Sequence, residues 1–391
     1  MKRIAIGSTW ILWALAATAA QAQQPIKLGI ISAYSGQFAD TAQKIENGFK
    51  LYMKLHGDTV AGRKIEIIRR DTGGPNPDVA KRLAQELVVR DKVDILTGFT
   101  TSPESFGAAD VSAEAKKFMV SMNGTASTLT EKSPYLVRSS FTLPQIAQAL
   151  GAWAATKGGI KKSYTMVTDF GPGIDGEVWF QKAFKENGGE IVGSVRMPLA
   201  SPDFSAFVQR VNDAKPESIF VFVPGGAQPA ALGKAFFERG IDPNKVKIMS
   251  SPEAVDETAI KGLGELALGR LSGSHYDYNH QSKLNVEFVK AYNAEYGRNP
   301  DFFSVGGYDG MHVIYEALKK TNGNTDGDAL VQAARNLKWE SPRGPISIDP
   351  ETRDIIQTIY IQRTEKVGGK IVNVEIDKVE NVKDPVKAMK K

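Results

Sequence analysis

The sequence contains no cysteine among its 391 residues. This absence excludes a disulfide framework, a thiol nucleophile and the lipid-bearing N-terminal cysteine that tethers some exported proteins to a membrane. Histidine is also scarce, and the spacing of the four that occur fits no metal-binding motif. We accordingly predict neither a metal ion nor a cofactor. These histidines are His56, His275, His280 and His312.

Catalytic motifs are missing as well. The chain has no Gly-x-Ser-x-Gly elbow, no Walker phosphate loop and no His-Glu-x-x-His pair. Residues 171–176 match Gly-x-Gly-x-x-Gly between a predicted strand and a predicted helix. The next predicted strand ends Val195-Arg196-Met197 and lacks the acid that binds a ribose hydroxyl. We therefore do not interpret the segment as a dinucleotide site.

Long apolar runs are confined to the first 22 residues. Lys2 and Arg3 precede an almost wholly apolar stretch, and Ala20-Gln21-Ala22 has the small-x-small pattern that signal peptidase cleaves. The apolar stretch, residues 4–20, is shorter than the ~20 residues that cross a bilayer. We predict that residues 1–22 are a cleaved signal peptide and that the mature chain is soluble in the periplasm.

An excess of one charge is also missing. Without Lys2 and Arg3 the 49 basic residues become 47, against 44 acidic residues, which leaves a net charge of about +3. This balance does not favour nucleic-acid binding. The C-terminal tail, residues 383–391, has more lysine than acidic residues. We interpret it as a solvated chain end rather than a partner-binding arm.

The pattern that is present is an alternation of short β-branched runs with longer amphipathic runs. It extends through residues 26–122 and starts again through residues 144–249. Such alternation is typical of a parallel sheet with helices on both faces. Residues 284–337 are helix-rich, and residues 355–376 resemble a hairpin that turns at Gly368-Gly369. We predict two α/β units in tandem, to which these last segments return.

Three loops follow predicted strands, where ligands bind in open parallel sheets. Ser102 and Thr125 offer hydroxyls at predicted helix starts, which favours an anion such as a carboxylate, although both residues also fit simple helix caps. Glu253 fits an acceptor for a ligand ammonium, and equally an acid that stabilises a helix dipole. The three loops are residues 100–103, 123–125 and 251–253.

Five segments stand out by their order and spacing along the chain. They are residues 26–36, the loop after Gly98, and residues 123–125, 251–255 and 307–310. Together they resemble the periplasmic leucine/isoleucine/valine-binding protein family, which delivers ligands to ABC importers. The likeness spans essentially the whole predicted mature chain. Two further stretches, residues 56–62 and 340–353, look more like a subgroup with members that take benzoate-like aromatic carboxylates.

The resemblance implies a two-lobed periplasmic-binding-protein type I fold. This is an α/β fold in which each lobe is a mostly parallel sheet flanked by helices, and the ligand lies in the cleft between the lobes. The implied limits are residues 23–142 and 277–344 for lobe 1, and 143–276 and 345–391 for lobe 2. Three hinge crossings are expected near Thr142-Leu143, Tyr276-Asp277 and Gly344-Pro345.

The resemblance also assigns roles in the cleft. Residues matching Ser102 and Thr125, helped by the backbone near Asn123, hold the ligand carboxylate in the family. The acid matching Glu253 holds the ammonium of an amino acid, and closure of the second lobe brings up Glu253 together with Asp169. The predicted ligand-binding residues are Phe38, Ser102, Asn123, Thr125, Asp169, Gly173, Glu253 and Tyr276.

Two departures from the amino-acid binders shift the expected ligand. Those proteins commonly present a tyrosine where this chain has Gly173, and another where it has Gly225-Gly226. We expect the two missing rings to leave space for a bulkier, flatter ligand. An aromatic acid such as a benzoate derivative is therefore the first expectation, and a branched-chain amino acid the second.

The sequence thus predicts a monomeric, non-enzymatic solute-binding protein that delivers a small carboxylate to the permease of an ABC importer. The alternative is a ligand-binding sensor for a chemoreceptor or kinase, which the same two lobes would serve. An exported enzyme is less favoured, because the sequence offers no nucleophile, metal or cofactor signature.

Overall fold

The computed structural model describes residues 24–200, 203–243 and 245–389. The predicted signal peptide, residues 1–22, lies outside the described residues. Within the described part of the chain, every helix is too short or too polar to cross a membrane.

The first sheet has six strands in the order β2-β3-β1-β4-β5-β6. All neighbours run parallel except β2, which pairs antiparallel with β3. The central strand β1 is apolar and buried on both faces, as expected when helices cover both sides of a parallel sheet. The strands are β1 (Ile26–Ser32), β2 (Thr59–Val60), β3 (Arg63–Asp71), β4 (Ile95–Gly98), β5 (Phe118–Ser121) and β6 (Leu136–Arg138).

The second sheet has one half with parallel strands and one half with antiparallel strands. Its path is β12-β13-β14-β11-β10-β9-β7-β8, and β15 pairs with β14 beside that path. Strands β7 to β11 run parallel, whereas β14 runs antiparallel to β11. The strands are β7 (Lys162–Thr168), β8 (Glu190–Met197), β9 (Ser218–Phe222), β10 (Lys247–Ser250), β11 (Leu271–Ser274), β12 (Lys338–Ser341), β13 (Gly344–Ile348), β14 (Ile355–Val367) and β15 (Lys370–Val382).

The helices flank these sheets. In the described residues they are α1 (Ala39–His56), α2 (Pro77–Val89), α3 (Ser102–Glu114), α4 (Leu143–Ala155), α5 (Gly171–Glu186), α6 (Ser205–Ala214), α7 (Gln228–Glu238), α8 (Glu257–Leu263), α9 (Lys283–Tyr296), α10 (Phe302–Lys320), α11 (Gly327–Ala334) and α12 (Pro385–Ala388). Helix α10 packs on α1 and β5 of the first lobe, while α4 packs on α5, β11 and β14 of the second.

The chain passes between the lobes three times. It leaves the first sheet after β6, returns after β11 to form α9 to α11, and enters the second sheet again at β12. Asp309 of α10 fixes the third passage, because its buried carboxylate pairs with Arg343 Nε at 2.9 Å and accepts a hydrogen bond from Ser341 Oγ at 2.8 Å. Two flanked sheets joined by three crossings confirm the expected α/β architecture.

The terminal segments give one confirmed prediction and one correction. The predicted hairpin is present as β14 and β15, and Gly368 and Gly369 adopt the positive φ angles that its turn requires. The expectation of a solvated tail is wrong for residues 385–388. They form α12, and the buried Lys387 pairs with the buried Asp354. A specific charge partner far away in sequence therefore anchors this segment.

Helices α1 and α10 approach each other through glycines. A Cβ at Gly307 would lie 2.1 Å from the carbonyl oxygen of Ile45, and one at Gly48 would lie 1.9 Å from that of Ser304. No side chain fits between backbones at such distances. These two positions set the separation of α1 and α10.

Gly307→Ala should therefore destabilise the protein by about 1–3 kcal/mol, because the added methyl group forces two packed helices apart. Urea unfolding followed by circular dichroism measures the change. Gly171→Ala is the matched control, since its Cβ would meet only Ala126 Cβ at an ordinary 3.5 Å. Equal unfolding free energies for the two variants would contradict this account of the helix contact.

Candidate functional site

The polar part of the site is built at the carboxyl ends of β4 and β5. Ser102 Oγ accepts hydrogen bonds from the backbone N–H groups of Thr125 and Ala126, each at 3.0 Å. Asn123 Nδ2 donates to the carbonyl oxygen of Thr100 at 2.7 Å. These bonds join the two loops into one rigid surface. Because Thr101 is the N-cap of α3, the interpretation of Ser102 as that helix's cap is wrong.

A buried carboxyl supports this surface from below. Glu104 Oε2 accepts a hydrogen bond from the backbone N–H of Thr101 at 2.6 Å, and Oε1 accepts one from the Thr72 hydroxyl. Burial raises the pKa of Glu104 to about 7. The first turn of α3 is thereby fixed before any ligand arrives.

The second lobe contributes aromatic rings and one acid. Phe170 follows β7 and Phe222 ends β9, and their rings stack with centroids 5.8 Å apart. Glu253 follows β10 in a short helical turn. Since β7, β9 and β10 are parallel neighbours, their carboxyl ends bring these three side chains to one edge of the sheet.

The two edges enclose a small cavity between the lobes. The space inside it that a water-sized molecule can occupy is about 30 Å³. Four phenylalanine rings form its walls, and among the described residues that line it none is lysine, arginine or histidine. The lining residues are Phe38, Thr41, Thr100, Thr101, Ser102, Asn123, Thr125, Phe170, Pro172, Phe222, Pro224, Gly225, Glu253 and Phe303.

Five of the eight predicted ligand-binding residues line this cavity. They are Phe38, Ser102, Asn123, Thr125 and Glu253.

The other three predicted residues lie elsewhere. Asp169 is 56% exposed and lies 3.8 Å from Arg196 Nη1 on the surface. Tyr276 is buried and donates a hydrogen bond from its hydroxyl to Asn285 Oδ1 at 2.9 Å. Gly173 lies inside the first turns of α5.

The expectation that missing rings leave open space is not supported. A Cβ at Gly173 would lie 1.8 Å from the carbonyl oxygen of Thr168, and one at Gly225 would lie 3.0 Å from the Phe303 ring. Gly226 has a φ of +94°, and a Cβ there would lie 2.7 Å from the carbonyl oxygen of Gln37. The glycines bring backbones together, and the aromatic surface comes from other residues.

Sequence reasoning missed Thr41, Phe170 and Phe222, and Phe303 was not among the predicted ligand-binding residues. One signal was available for two of them. Phe222 ends a predicted strand and Phe170 follows another, which is where a parallel sheet presents residues to a ligand. Phe303 packs on Phe302, with ring centroids 3.9 Å apart, and it also lines the cavity.

Glu253 is the acid of the cavity. It is 5% exposed, and within the described residues its Oε2 has no hydrogen-bond partner. Burial raises its pKa to about 7. Hydrogen bonds from the Ser251 hydroxyl and the Glu253 backbone N–H oppose this shift, and the neighbouring Asp256 carboxylate adds to it. The Oδ1 atom of Asn123 is likewise buried and without a partner among the described residues. Two polar atoms of the lining thus remain available to a ligand.

A buried lysine links the lobes behind the cavity. Lys44 Nζ of α1 lies 2.9 Å from Asp256 Oδ2 of the second lobe and 2.9 Å from Asp301 Oδ2 of the first. It also lies 5.6 Å from the centre of the Phe303 ring. Burial alone would lower the pKa of Lys44, but the surrounding carboxylates raise it above its usual value. Its charge is fully paired outside the cavity.

Arg138 positions the loop that carries Thr125. The side chain is fully buried and donates hydrogen bonds to the carbonyl oxygens of Gly124 at 2.5 Å and Ala126 at 2.7 Å. Its Nε pairs with Asp354 at 3.0 Å, and Asp354 in turn pairs with Lys387. The charge network thus reaches from the C-terminal helix to the residues on both sides of Thr125.

Arg138→Met should cost about 3–5 kcal/mol of stability, because it leaves a buried carboxylate without one of its cations and frees two backbone carbonyls. Hydrogen exchange should rise most at the amides of residues 123–127. Arg82→Lys, an exposed pair with Glu86, is the control and should change neither quantity measurably. If hydrogen exchange at residues 123–127 were unchanged in Arg138→Met, Arg138 would not be what holds this loop in place.

Comparison with known proteins places this geometry in context. The family model described as periplasmic binding protein matches residues 25–370. The Leu/Ile/Val-binding protein homolog 6 of Brucella melitensis is 39% identical over 389 residues, which covers 98% of this chain and 99% of the relative.

Two solved structures are similar along almost their whole length. The solute binding protein of an ABC transporter from Rhodopseudomonas palustris BisB5, in complex with 3,4-dihydroxybenzoic acid, has 49% identity and a TM-score of 0.89, covering 93% of this chain and 99% of that one. A solute binding protein from Rhodopseudomonas palustris HaA2, in complex with p-hydroxybenzoic acid, has 39% identity and a TM-score of 0.90, covering 93% and 100%. The chain therefore belongs to the periplasmic binding protein family.

Proposed function

We propose that the protein is a periplasmic solute-binding protein that captures an aromatic carboxylate between its lobes and delivers it to the permease of an ABC importer. One observation carries the proposal. The cavity between the lobes joins a set of hydroxyl and amide groups on one side to four phenylalanine rings.

The Ser102 hydroxyl supports a carboxylate at the polar end. A hydroxyl has two acceptor lone pairs and one proton. Both lone pairs of Ser102 are engaged by the N–H groups of Thr125 and Ala126. Only its proton remains for a ligand, so the ligand must present an acceptor there. The first turn of α3 adds the positive end of a helix dipole, which favours a negative charge.

The aromatic walls support a flat apolar body for the ligand. Phe38 and Phe303 come from the first lobe and Phe170 and Phe222 from the second, so rings from both lobes line one small space. Aromatic pairs in stacked or edge-to-face contact contribute about 0.5–1.5 kcal/mol beyond the area that they bury. A benzoate-type ring would make such contacts with both lobes at once, and these contacts would stabilise the closed cleft.

The relatives favour the same class of ligand. Solved structures at 49% and 39% identity hold 3,4-dihydroxybenzoic acid and p-hydroxybenzoic acid. A branched-chain amino acid is the second candidate, because the similar Brucella protein is named a Leu/Ile/Val-binding protein homolog and because Glu253 offers an acid for an ammonium. An aromatic acid accounts for the ring-lined walls, which a leucine side chain does not require.

Several finer assignments belong to this proposal. They are export by cleavage after Ala22, a monomeric state, the absence of catalysis and the lobe limits given above. The roles of Phe38, Ser102, Asn123, Thr125 and Glu253 as ligand contacts are likewise proposed, supported by their places in the cavity lining. Membership of a family of solute-binding proteins favours transport over sensing or turnover.

The direct test is a titration calorimetry screen of refolded, ligand-free protein against benzoate, 4-hydroxybenzoate, 3,4-dihydroxybenzoate, leucine, isoleucine and valine. We expect the aromatic acids to bind and the amino acids to give no heat of binding. Binding of leucine without any aromatic acid would overturn the proposed ligand class. Failure of all six compounds would overturn the proposed carboxylate site itself.

Ser102→Ala should weaken binding of every aromatic carboxylate about 10- to 100-fold, because it removes a hydrogen bond to a charged acceptor. Ser112→Ala is the matched control, since this serine lies buried in the same helix and donates instead to the Lys117 carbonyl oxygen. The control should bind as the parent protein does. Equal affinities for the two variants would show that the carboxylate does not lie at Ser102.

A further inference from the structure

Glu253 poses a charge problem for an aromatic carboxylate. The acid is 5% exposed and lines the cavity, and no basic side chain lines it among the described residues. The nearby cation Lys44 is committed elsewhere, since it pairs with Asp256, Asp301 and Asp40. If Glu253 were ionised, a bound carboxylate would place two negative charges in one buried cavity without compensation, which is strongly unfavourable.

The cavity lining also favours a ligand that carries a second polar group. Glu253 Oε2 and Asn123 Oδ1 are both buried and without hydrogen-bond partners among the described residues. Buried polar atoms left unpaired cost about 1–3 kcal/mol each. A carboxylate has no proton to give Asn123, and a bare ring offers nothing to either atom. A phenolic hydroxyl both accepts and donates, so it can pair with either of these atoms.

We propose that Glu253 stays protonated in the ligand complex and donates a hydrogen bond to a phenolic oxygen, so that capture of a hydroxylated aromatic acid takes up a proton. This inference rests on the proposed function and narrows its ligand to hydroxybenzoates. It also separates the two ligand classes, because a protonated acid does not neutralise the ammonium of an amino acid.

The charged groups around Glu253 agree with this assignment. On its own segment the nearest acid is Asp256, which disfavours a second negative charge. From α1, Lys44 faces Asp256 at 2.9 Å, and from the start of α10, Asp301 faces the same lysine. In the free protein, burial raises the pKa of Glu253 to about 7. A bound carboxylate raises it further, so affinity is highest below this pKa and falls as the pH rises through it.

The test is calorimetric titration of 4-hydroxybenzoate at pH 6, 7 and 8 in phosphate and in Tris, whose ionisation heats differ. We expect proton uptake near pH 7, and an affinity that falls about tenfold from pH 6 to pH 8. We also expect 4-hydroxybenzoate to bind about tenfold more tightly than benzoate at pH 6.

Glu253→Gln separates protonated from ionised Glu253. An amide donates a hydrogen bond without titrating, so this variant should keep its affinity at pH 6 within about threefold and lose the pH dependence. Glu253→Ala should lose the preference for 4-hydroxybenzoate over benzoate. Glu257→Gln is the control, because Glu257 begins α8 outside the cavity lining, and it should retain the dependence of the parent protein.

The opposite result would be as clear. An affinity that does not fall with pH, together with loss of binding in Glu253→Gln, would mean that Glu253 acts as an ionised acceptor. The inference would then fail while aromatic acids still bind, so the proposed function would stand. Binding of leucine, with no binding of any aromatic acid, would instead overturn the proposed function and with it this inference.

Discussion

The buried ion pair between Arg138 and Asp354 is the interaction on which the site depends most. Arg138 ends the last strand of the first sheet, and Asp354 lies just before β14 of the second. The guanidinium also donates hydrogen bonds to the carbonyl oxygens of Gly124 and Ala126, on either side of Thr125. One cation therefore fixes both the relation of the lobes near the first crossing and the shape of a ligand-facing loop.

A consequence of this arrangement is that none of the described residues lining the cavity carries a fixed positive charge. Arg138 and Lys44 are fully buried close to the site, yet each is paired with carboxylates outside it. A paired buried charge exerts little field beyond its partners, whereas an unpaired one would attract any anion. Recognition is left to oriented neutral donors, a helix terminus and ring surfaces, which distinguish ligands by shape and hydrogen-bonding pattern.

The sequence predicted the parts of this site that depend on local chain order. Ser102, Asn123, Thr125 and Glu253 follow strands, and strand ends gather at one edge of a parallel sheet. Lys387 was misjudged, because an exposed-looking tail becomes buried only through Asp354, 33 residues earlier. Gly173 was misjudged because glycine can mark either an open space or a close backbone approach, and only the folded structure distinguishes the two.

Glu253 illustrates why such a residue cannot be assigned from its identity. An acid after a strand suits an ammonium when it is ionised and a phenolic oxygen when it is protonated. Its protonation depends on the rings and loops that enclose it, which come from segments as far apart as Phe38 and Phe303. In a cavity walled by phenylalanines the cost of ionisation is set by the whole enclosure. The specificity of the site is therefore a property of the closed pair of lobes and not of any one loop.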